Sequence, residues 1–509
     1  MSQSTRAVLG MDLGTSSLKC VVMDAAGQIR AVAERPYPTH TPHPGWAEQN
    51  PADWIEALRA ALAELRQSEP QLMNALAAIG LCSAAHLPVL LDSAGRVLRP
   101  AILWSDQRSS VEVAELKAKH SPQLEDISLN EAGCTWTLPQ LLWVWKHEPG
   151  VLGHVHRLLS SKDYLVFQLT GQACMDHGSA AATLMLDARS KSWSRELCAL
   201  SCLPDAALPD LLHPMAIAGR VSAQAARAFG LSKGTPVIAG TLDSAAEMVG
   251  CGLLAPGAAG MVRVGSAGGI MLVTGKAVFN SGIITYPHVI DGLFYKQAGT
   301  NSCATSMKWI RDLCVAMRPV DAPVLTYDEL DRLAAQANAG ADDLMFHPYL
   351  QGERAPHWNP ELRGSFTGID QRHGWPQFIR AVMEGVAFSL LDGLTMFRRD
   401  GLDMSSAVMS GGVTKSQLWS QIITDVLGMK TRTIRQGDSA LGSCLLAATA
   451  AGLFASLNEA VAVCVQDEQT MTPNASTRDL YARSFARYQE TGQFLDALAR
   501  KHGNQRTED

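Results

Sequence analysis

Asp12 ends an apolar run and is followed by Gly14, Thr15, Ser16 and Ser17. A turn rich in backbone N–H groups and hydroxyls suits an anion such as a phosphate. A carboxylate at its mouth can hold Mg2+, often through water. An ordinary hairpin turn is the plainer reading of the same residues. A second turn of this kind, Gly265-Ser266-Ala267-Gly268-Gly269, lies between apolar runs at 260–264 and 270–274. Two such turns facing across a cleft could grip a triphosphate from both sides. Gly411 and Gly412 sit between an apolar strand and a helix, where a flat ligand can lie against bare backbone.

These residues need elements to position them. Apolar stretches at 7–12, 18–24 and 29–35, separated by Gly-containing turns, predict an antiparallel meander. Asn50 as N-cap, Pro51 at the first helical position, and Trp54, Ile55, Leu58, Ala61, Leu62 and Leu65 on one face predict a helix over 51–66. A strand over 77–83 leads to His86. Short strands at 89–91 and 102–104 are expected around a turn at 92–95. A helix is expected over 415–427, and Asp438 is expected to cap the apolar helix that follows.

At 509 residues the chain is too long for one core, so two domains are expected, 1–246 and 247–509. Its 47% hydrophobic and 18% charged residues are those of a soluble globular protein. A net charge of −6 without a basic block argues against a nucleic-acid partner, though not against one triphosphate held by local amides and a metal. No signal peptide is expected, and no run is long and apolar enough to span a membrane. The 11 cysteines are scattered without a Cys-x-x-Cys pair, and nothing completes a zinc site around Cys198 and Cys202. Free thiols in a reducing cytoplasm are the expectation.

Seven blocks in order carry a resemblance: Asp12 to Ser16, Leu98 to Arg108, Leu141 to Val144, Ser161 to Tyr164, Ala239 to Ala246, Gly352 to Pro356, and Ser410 to Val413. Over nearly its whole length the chain resembles the FGGY family of carbohydrate kinases, and within it is most similar to xylulose kinases. The resemblance implies an α/β fold of two actin-like (ribonuclease H-like) ATPase domains around a central cleft. It implies ATP-dependent phosphorylation of a ketopentose hydroxyl, D-xylulose first, with ATP and Mg2+ bound. By resemblance Asp243 is the general base, with a helix N-cap as its plainer reading. Asp12 would carry Mg2+, and the phosphates would be held by Gly14, Thr15 and Ser16 on one side and Gly265 and Ser266 on the other. The sugar would meet the first domain at Ala85, His86, Trp104, Asp243 and Ser244. Adenosine would lie against Gly411 and Gly412, near Lys415 and Ser416. Family members are commonly dimers, so a homodimer is compatible with the chain.

The chain also departs from the pattern. Xylulose kinases usually read Gly-Gln-Met-His-Gly where Ser83-Ala84-Ala85-His86-Leu87 stands, and Gly-Asp-Asn-Ala-Ala where Leu242-Asp243-Ser244-Ala245-Ala246 stands. Both changes shrink side chains at the expected sugar pocket, which leaves room for a larger or differently oriented polyol. The segment from Glu353 to Asn359 is also similar to that of gluconate kinases. Gluconate or another polyol therefore remains an alternative substrate, with Lys19, His86 and Arg108 as candidate partners for a carboxylate. A non-catalytic actin-fold sugar sensor is the reading outside enzymes. Asp106 with Arg108, and Glu353 with Arg354, could be ion pairs that only hold their loops.

Overall fold

The computed structural model describes residues 6–318 and 325–506. The opening strands form the expected meander. β1 (Ala7–Leu13) pairs antiparallel with β2 (Ser17–Asp24) in the register Asp12↔Lys19, and β3 (Ile29–Pro36) pairs antiparallel with β2. β4 (Leu76–Ser83) then runs parallel to β1 on its other side. β5 (Ile217–Arg220) is the antiparallel edge, beside β6 (Pro236–Ile238), which runs parallel to β4.

The second half repeats this plan. β7 (Ala259–Val264) and β8 (Gly268–Thr274) form a hairpin. β9 (Ile284–Pro287) and β10 (Phe294–Thr300) extend the antiparallel side beyond β8. β11 (Ser406–Gly411) runs parallel to β7, β12 (Lys430–Ile434) parallel to β11, and β13 (Asp467–Met471) is again an antiparallel edge. Both sheets have seven strands. In each, the hairpin strands meet at the sheet centre, so each phosphate-type turn emerges at the end of a central, doubly buried strand. This is the two-domain actin-like, ribonuclease H-like fold.

Helices cover the outer faces. In α1 (Pro51–Ser68) the Asn50 side chain accepts from the Ala52 N–H at 3.1 Å, closing the N-terminus as its residue type predicts. The helix buries Trp54, Leu58, Leu62 and Leu65 in one core with Leu9 and Met11. α3 (Trp375–Arg399) and α4 (Gln417–Leu427) share a core with Val262 and Ile270 on the outer face of the second sheet.

Between the sheets lie α2 (Asp243–Gly250) and α5 (Ser439–Ala450), one from each half. Met248 and Val249 of α2, with Leu441 and Cys444 of α5, join Val8 and Val21 of the first sheet to Met261 and Val408 of the second in one core. The approach is close enough to require glycine. A Cβ on Gly442 would stand 1.8 Å from the Ala246 carbonyl oxygen. On Gly10 of β1 it would stand 2.5 Å from the Ala440 carbonyl, and on Gly80 of β4 2.2 Å from that of Ser443. The helix from the second half is thus seated directly on the first sheet.

Three expectations change. The strand expected at 89–91 and the turn at 92–95 are present, but the one expected at 102–104 is Ala101–Ile102; Pro88–Leu91 pairs with Arg157–Ser160, and Ala101–Ile102 with Glu48–Gln49. α4 begins at Gln417 rather than Lys415, because Ser416 accepts from the Trp419 N–H at 3.0 Å and so caps it. Asp243 is the first residue of α2, and Leu242 is its N-cap, so Asp243 does not cap.

Replacing Gly442 with Ala should force α2 and α5 apart and lower stability by about 2–3 kcal/mol. Gly257→Ala, where a Cβ meets nothing within 4 Å, should leave the melting temperature nearly unchanged. Equal melting of the two variants would show that the crossing does not need its glycine.

Candidate functional site

A cavity of about 500 Å³ opens between the two halves. Its walls bring together Thr15 and Ser16 of the first turn, and Gly265 and Ser266 of the second. Ala85, His86, Trp104, Asp243 and Ser244 face the same space. Among the described residues, the walls do not include Asp12, Gly14, Gly411, Gly412, Lys415 or Ser416.

The first turn is held from below. Gly14 N–H donates to the Ser17 carbonyl at 3.0 Å, and the Tyr37 hydroxyl donates to the Gly14 carbonyl. Gln49 Nε2 donates to the Thr15 carbonyl at 2.7 Å, and Trp104 Nε1 to the Thr15 hydroxyl at 3.2 Å. Trp104 is half-buried at the cleft, where it braces the turn and packs against the core of the first sheet. The second turn is tied to the chain that follows β10. The Ser266 carbonyl accepts from the Cys303 N–H at 2.9 Å, and the Gly265 carbonyl from Ala304 at 2.8 Å.

Asp12 lies beside this cavity in a field of like charge. Burial, foremost, and the Asp243 and Asp438 carboxylates raise its carboxyl to about 7, against the pull of Arg263. The Cys82 thiol donates to its Oδ1 at 3.4 Å. Asp243 and Asp438 each have a cation, Arg263 and Lys19, whereas Asp12 has no ion pair among the described residues. Among the described residues no three His, Cys, Asp or Glu side chains cluster as a metal site, so Mg2+ here would rest on few protein ligands, with Asp12 as the candidate.

Asp243 lines the cavity at the N-terminus of α2. Its Oδ1 accepts from the Ser244 N–H at 2.7 Å, and its Oδ2 from both terminal nitrogens of Arg263 at 3.3 Å. Arg263 also places Nε 3.1 Å from Oε2 of Glu247, one turn further along α2. A strand of the second half thereby fixes the helix that carries Asp243. Sequence reasoning missed Arg263. Its signal was a lone cation inside the apolar run Gly260-Met261-Val262-Arg263-Val264.

His86 occupies the left-handed region at φ +62°, which is uncommon for a residue with a side chain. Both of its ring nitrogens have partners. Nδ1 lies 2.9 Å from the Ala182 carbonyl and so carries the proton, which leaves Nε2 to accept from the Tyr286 hydroxyl at 2.7 Å. Burial, foremost, and the nearby Arg354 charge lower its pKa to about 4, so the ring is neutral. Tyr286 therefore stands between His86 and any ligand that uses Nε2. Nothing in the local sequence marks Tyr286. The Ser244 hydroxyl shares a 2.8 Å hydrogen bond with that of Tyr295.

The remaining candidates separate by partner. Arg108 is buried against both Asp106 oxygens, with Nη2 at 2.7 Å from Oδ2, and lies over the Trp46 ring at 3.8 Å. Lys19 pairs with Asp438 at 2.5 Å. Both cations are therefore committed to structural carboxylates. Glu353 and Arg354 do not pair through their side chains: Glu353 accepts from Thr300, Asn301 N–H and Arg354 N–H, and burial raises it to about 7. Gly411 has φ +87°, and a Cβ there would stand 2.4 Å from the Val264 carbonyl. Beside Gly412 there is open space, as bare backbone for a flat ligand requires.

Residues 7–250 match the N-terminal domain, and residues 260–451 the C-terminal domain, of the FGGY family of carbohydrate kinases. The chain belongs to this family. It is a carbohydrate kinase. It is 30% identical over 485 residues to a xylulose kinase of Staphylococcus epidermidis, covering 95% of each chain. Among solved structures it is similar to xylulose kinase from Rhodospirillum rubrum, at 30% identity and a TM-score of 0.87, over 97% of this chain and all of that one. It is also similar to gluconate kinase from Lactobacillus acidophilus, at 25% identity and a TM-score of 0.89, over 98% of this chain and 99% of that one. Among the described residues, no helix is long and apolar enough to cross a membrane.

The lowered pKa of His86 carries a pH signature. Between pH 6.5 and about 4 the unfolded chain binds a proton that folded His86 refuses, so stability falls as pH falls through that window and is level above it. His86→Gln should lose this part of the slope in melting curves recorded from pH 4.5 to 7.5. An unchanged slope would mean that His86 titrates normally in the fold.

Proposed function

We propose that this FGGY kinase transfers the terminal phosphoryl group of ATP to a hydroxyl of a ketopentose, D-xylulose first. The observation that carries the reading is the placement of Asp243 in one cavity with both phosphate-type turns. The similarity to xylulose kinases supports the choice of sugar.

A sugar hydroxyl is a poor nucleophile until its proton has an acceptor. The Asp243 carboxylate takes that proton. The hydroxyl oxygen bonds to the γ-phosphorus, the bond from that phosphorus to the β,γ-bridging oxygen breaks, and its electron pair leaves with ADP. Arg263 fixes the carboxylate from the opposite half. Gly14, Thr15, Ser16, Gly265 and Ser266 position the phosphates, and Gly411, Gly412, Lys415 and Ser416 border the adenosine. Mg2+ near Asp12 would neutralise phosphate charge. In this reading 1–246 holds the sugar and 247–509 the adenosine, and closing the cleft limits hydrolysis by water.

A second reading replaces the ketose with a sugar acid such as gluconate. The similarity to gluconate kinase favours it, as does Arg354, a cation in the cavity wall. ADP release across a panel of ketoses, polyols and aldonic acids separates the two.

Asp243→Asn should lower kcat by about 10²–10⁴-fold while sugar and ATP still bind, since a general base is typically worth that much. Near-normal turnover would remove Asp243 from the chemistry. Ala85→Met with Ser244→Asn should narrow the sugar pocket and raise the ratio of kcat/KM for D-xylulose over other sugars. An unchanged ratio would show that these positions do not set selectivity.

A further inference from the structure

Three charged side chains wall the cleft: Asp243, Arg263 and Arg354. Arg263 is compensated by Asp243 and Glu247. Arg354 is not. Among the described residues, no carboxylate lies within ion-pair distance of its guanidinium. Its neighbour Glu353 spends both oxygens elsewhere, Oε1 on the Asn301 N–H at 2.9 Å and the Arg354 N–H at 2.7 Å, and Oε2 on the Thr300 hydroxyl at 2.6 Å. Nη2 of Arg354 donates to the Thr300 carbonyl at 3.1 Å, whereas Nε is buried without a hydrogen-bond partner.

The guanidinium is held in place all the same. It lies against Gly299, where a Cβ would stand 2.9 Å from Cζ. It also sits 5.6 Å from the ring centre of Trp104, the residue that donates to Thr15 of the first turn. An arginine stays protonated even where burial works against it. A desolvated cation with an unfilled donor is costly until an anion meets it. A neutral ketose brings no charge to this cavity, and the nucleotide does.

We propose that Arg354 is a further catalytic residue, whose planar donor fork grips the phosphoryl group as it passes from ATP to the sugar. The proposal rests on the ketose-kinase reading above. Arg354 neither gives nor takes a proton in the step. The hydroxyl proton goes to Asp243, the new bond joins the sugar oxygen to phosphorus, and the electron pair of the broken bond leaves on ADP. Arg354 donates to the equatorial oxygens, where charge must be held during transfer.

The test uses the full chain with Arg354→Gln and Arg354→Lys. Steady-state kinetics are measured with D-xylulose and ATP. Calorimetry measures binding of sugar, of ADP with Mg2+, and of ADP with Mg2+ and aluminium fluoride, a mimic of the phosphoryl group in flight. Arg354→Gln should lower kcat by about 10²–10³-fold and weaken the aluminium fluoride complex comparably, while ADP and sugar affinities stay within about threefold. Arg354→Lys should recover part of the loss, because it restores charge without the fork. If the Gln variant melts early, the Lys variant decides by the same readouts. Unchanged aluminium fluoride binding, or a loss confined to the KM or affinity of the sugar, overturns the proposal. If the parent enzyme turns over an aldonate and no ketose, the ketose reading has failed. The proposal then stands if Arg354→Gln still weakens the aluminium fluoride complex, and falls if only the aldonate KM rises.

Discussion

The contact between α2 and α5 is the constraint on which the site depends. The Ala246 carbonyl meets the backbone at Gly442, leaving no room for a side chain. The same α5 lies on β1 and β4, whose Gly10 and Gly80 admit its backbone. This packing carries Asp243 on α2 and Asp438 before α5 into the field of Asp12 at the end of β1. Three carboxylates distant in the chain thus share one environment because two helices cross without side chains between them. The buried core supplies the free energy, and the glycines set the distance.

Charge compensation then separates structural from reactive groups. Arg108 is enclosed by Asp106 and Glu48 and stacked on Trp46, which leaves it little to offer a ligand. Lys19 is occupied by Asp438. Arg263 has two carboxylates but faces the cavity, so its effect passes through Asp243. His86 is neutral and has both nitrogens engaged. The same residue types that suggest chemistry in a sequence therefore differ in the fold by what already satisfies them, since a satisfied buried polar group gains little from a further partner.

Much of the frame is local and was legible. Alternating apolar runs and Gly-containing turns specified both hairpins. Asn50 and Asp438 behave as the expected helix caps, because a side-chain oxygen and an N–H two or three residues on meet whenever the helix forms. The helix start at Gln417 was misjudged by a cap's width. The partners of the short strands near 89–102 were not legible, because a strand's register depends on a partner that need not be adjacent. Their true partners are Arg157–Ser160 and Glu48–Gln49.

The sequence by itself determined the two phosphate-type turns, the carboxylates Asp12 and Asp243, the repeated strand order's opening hairpins, and the family likeness. Each depends on residues close together in the chain or on their linear order. Only the tertiary structure decided that Tyr286 meets His86, 200 positions away, that Arg263 braces Asp243, and that Arg354 lies by Trp104 with no ion pair among the described residues. Such contacts exist only when both sheets are assembled. No local pattern encodes them, because each side chain is satisfied or left wanting by a neighbour that packing, and not chain order, supplies.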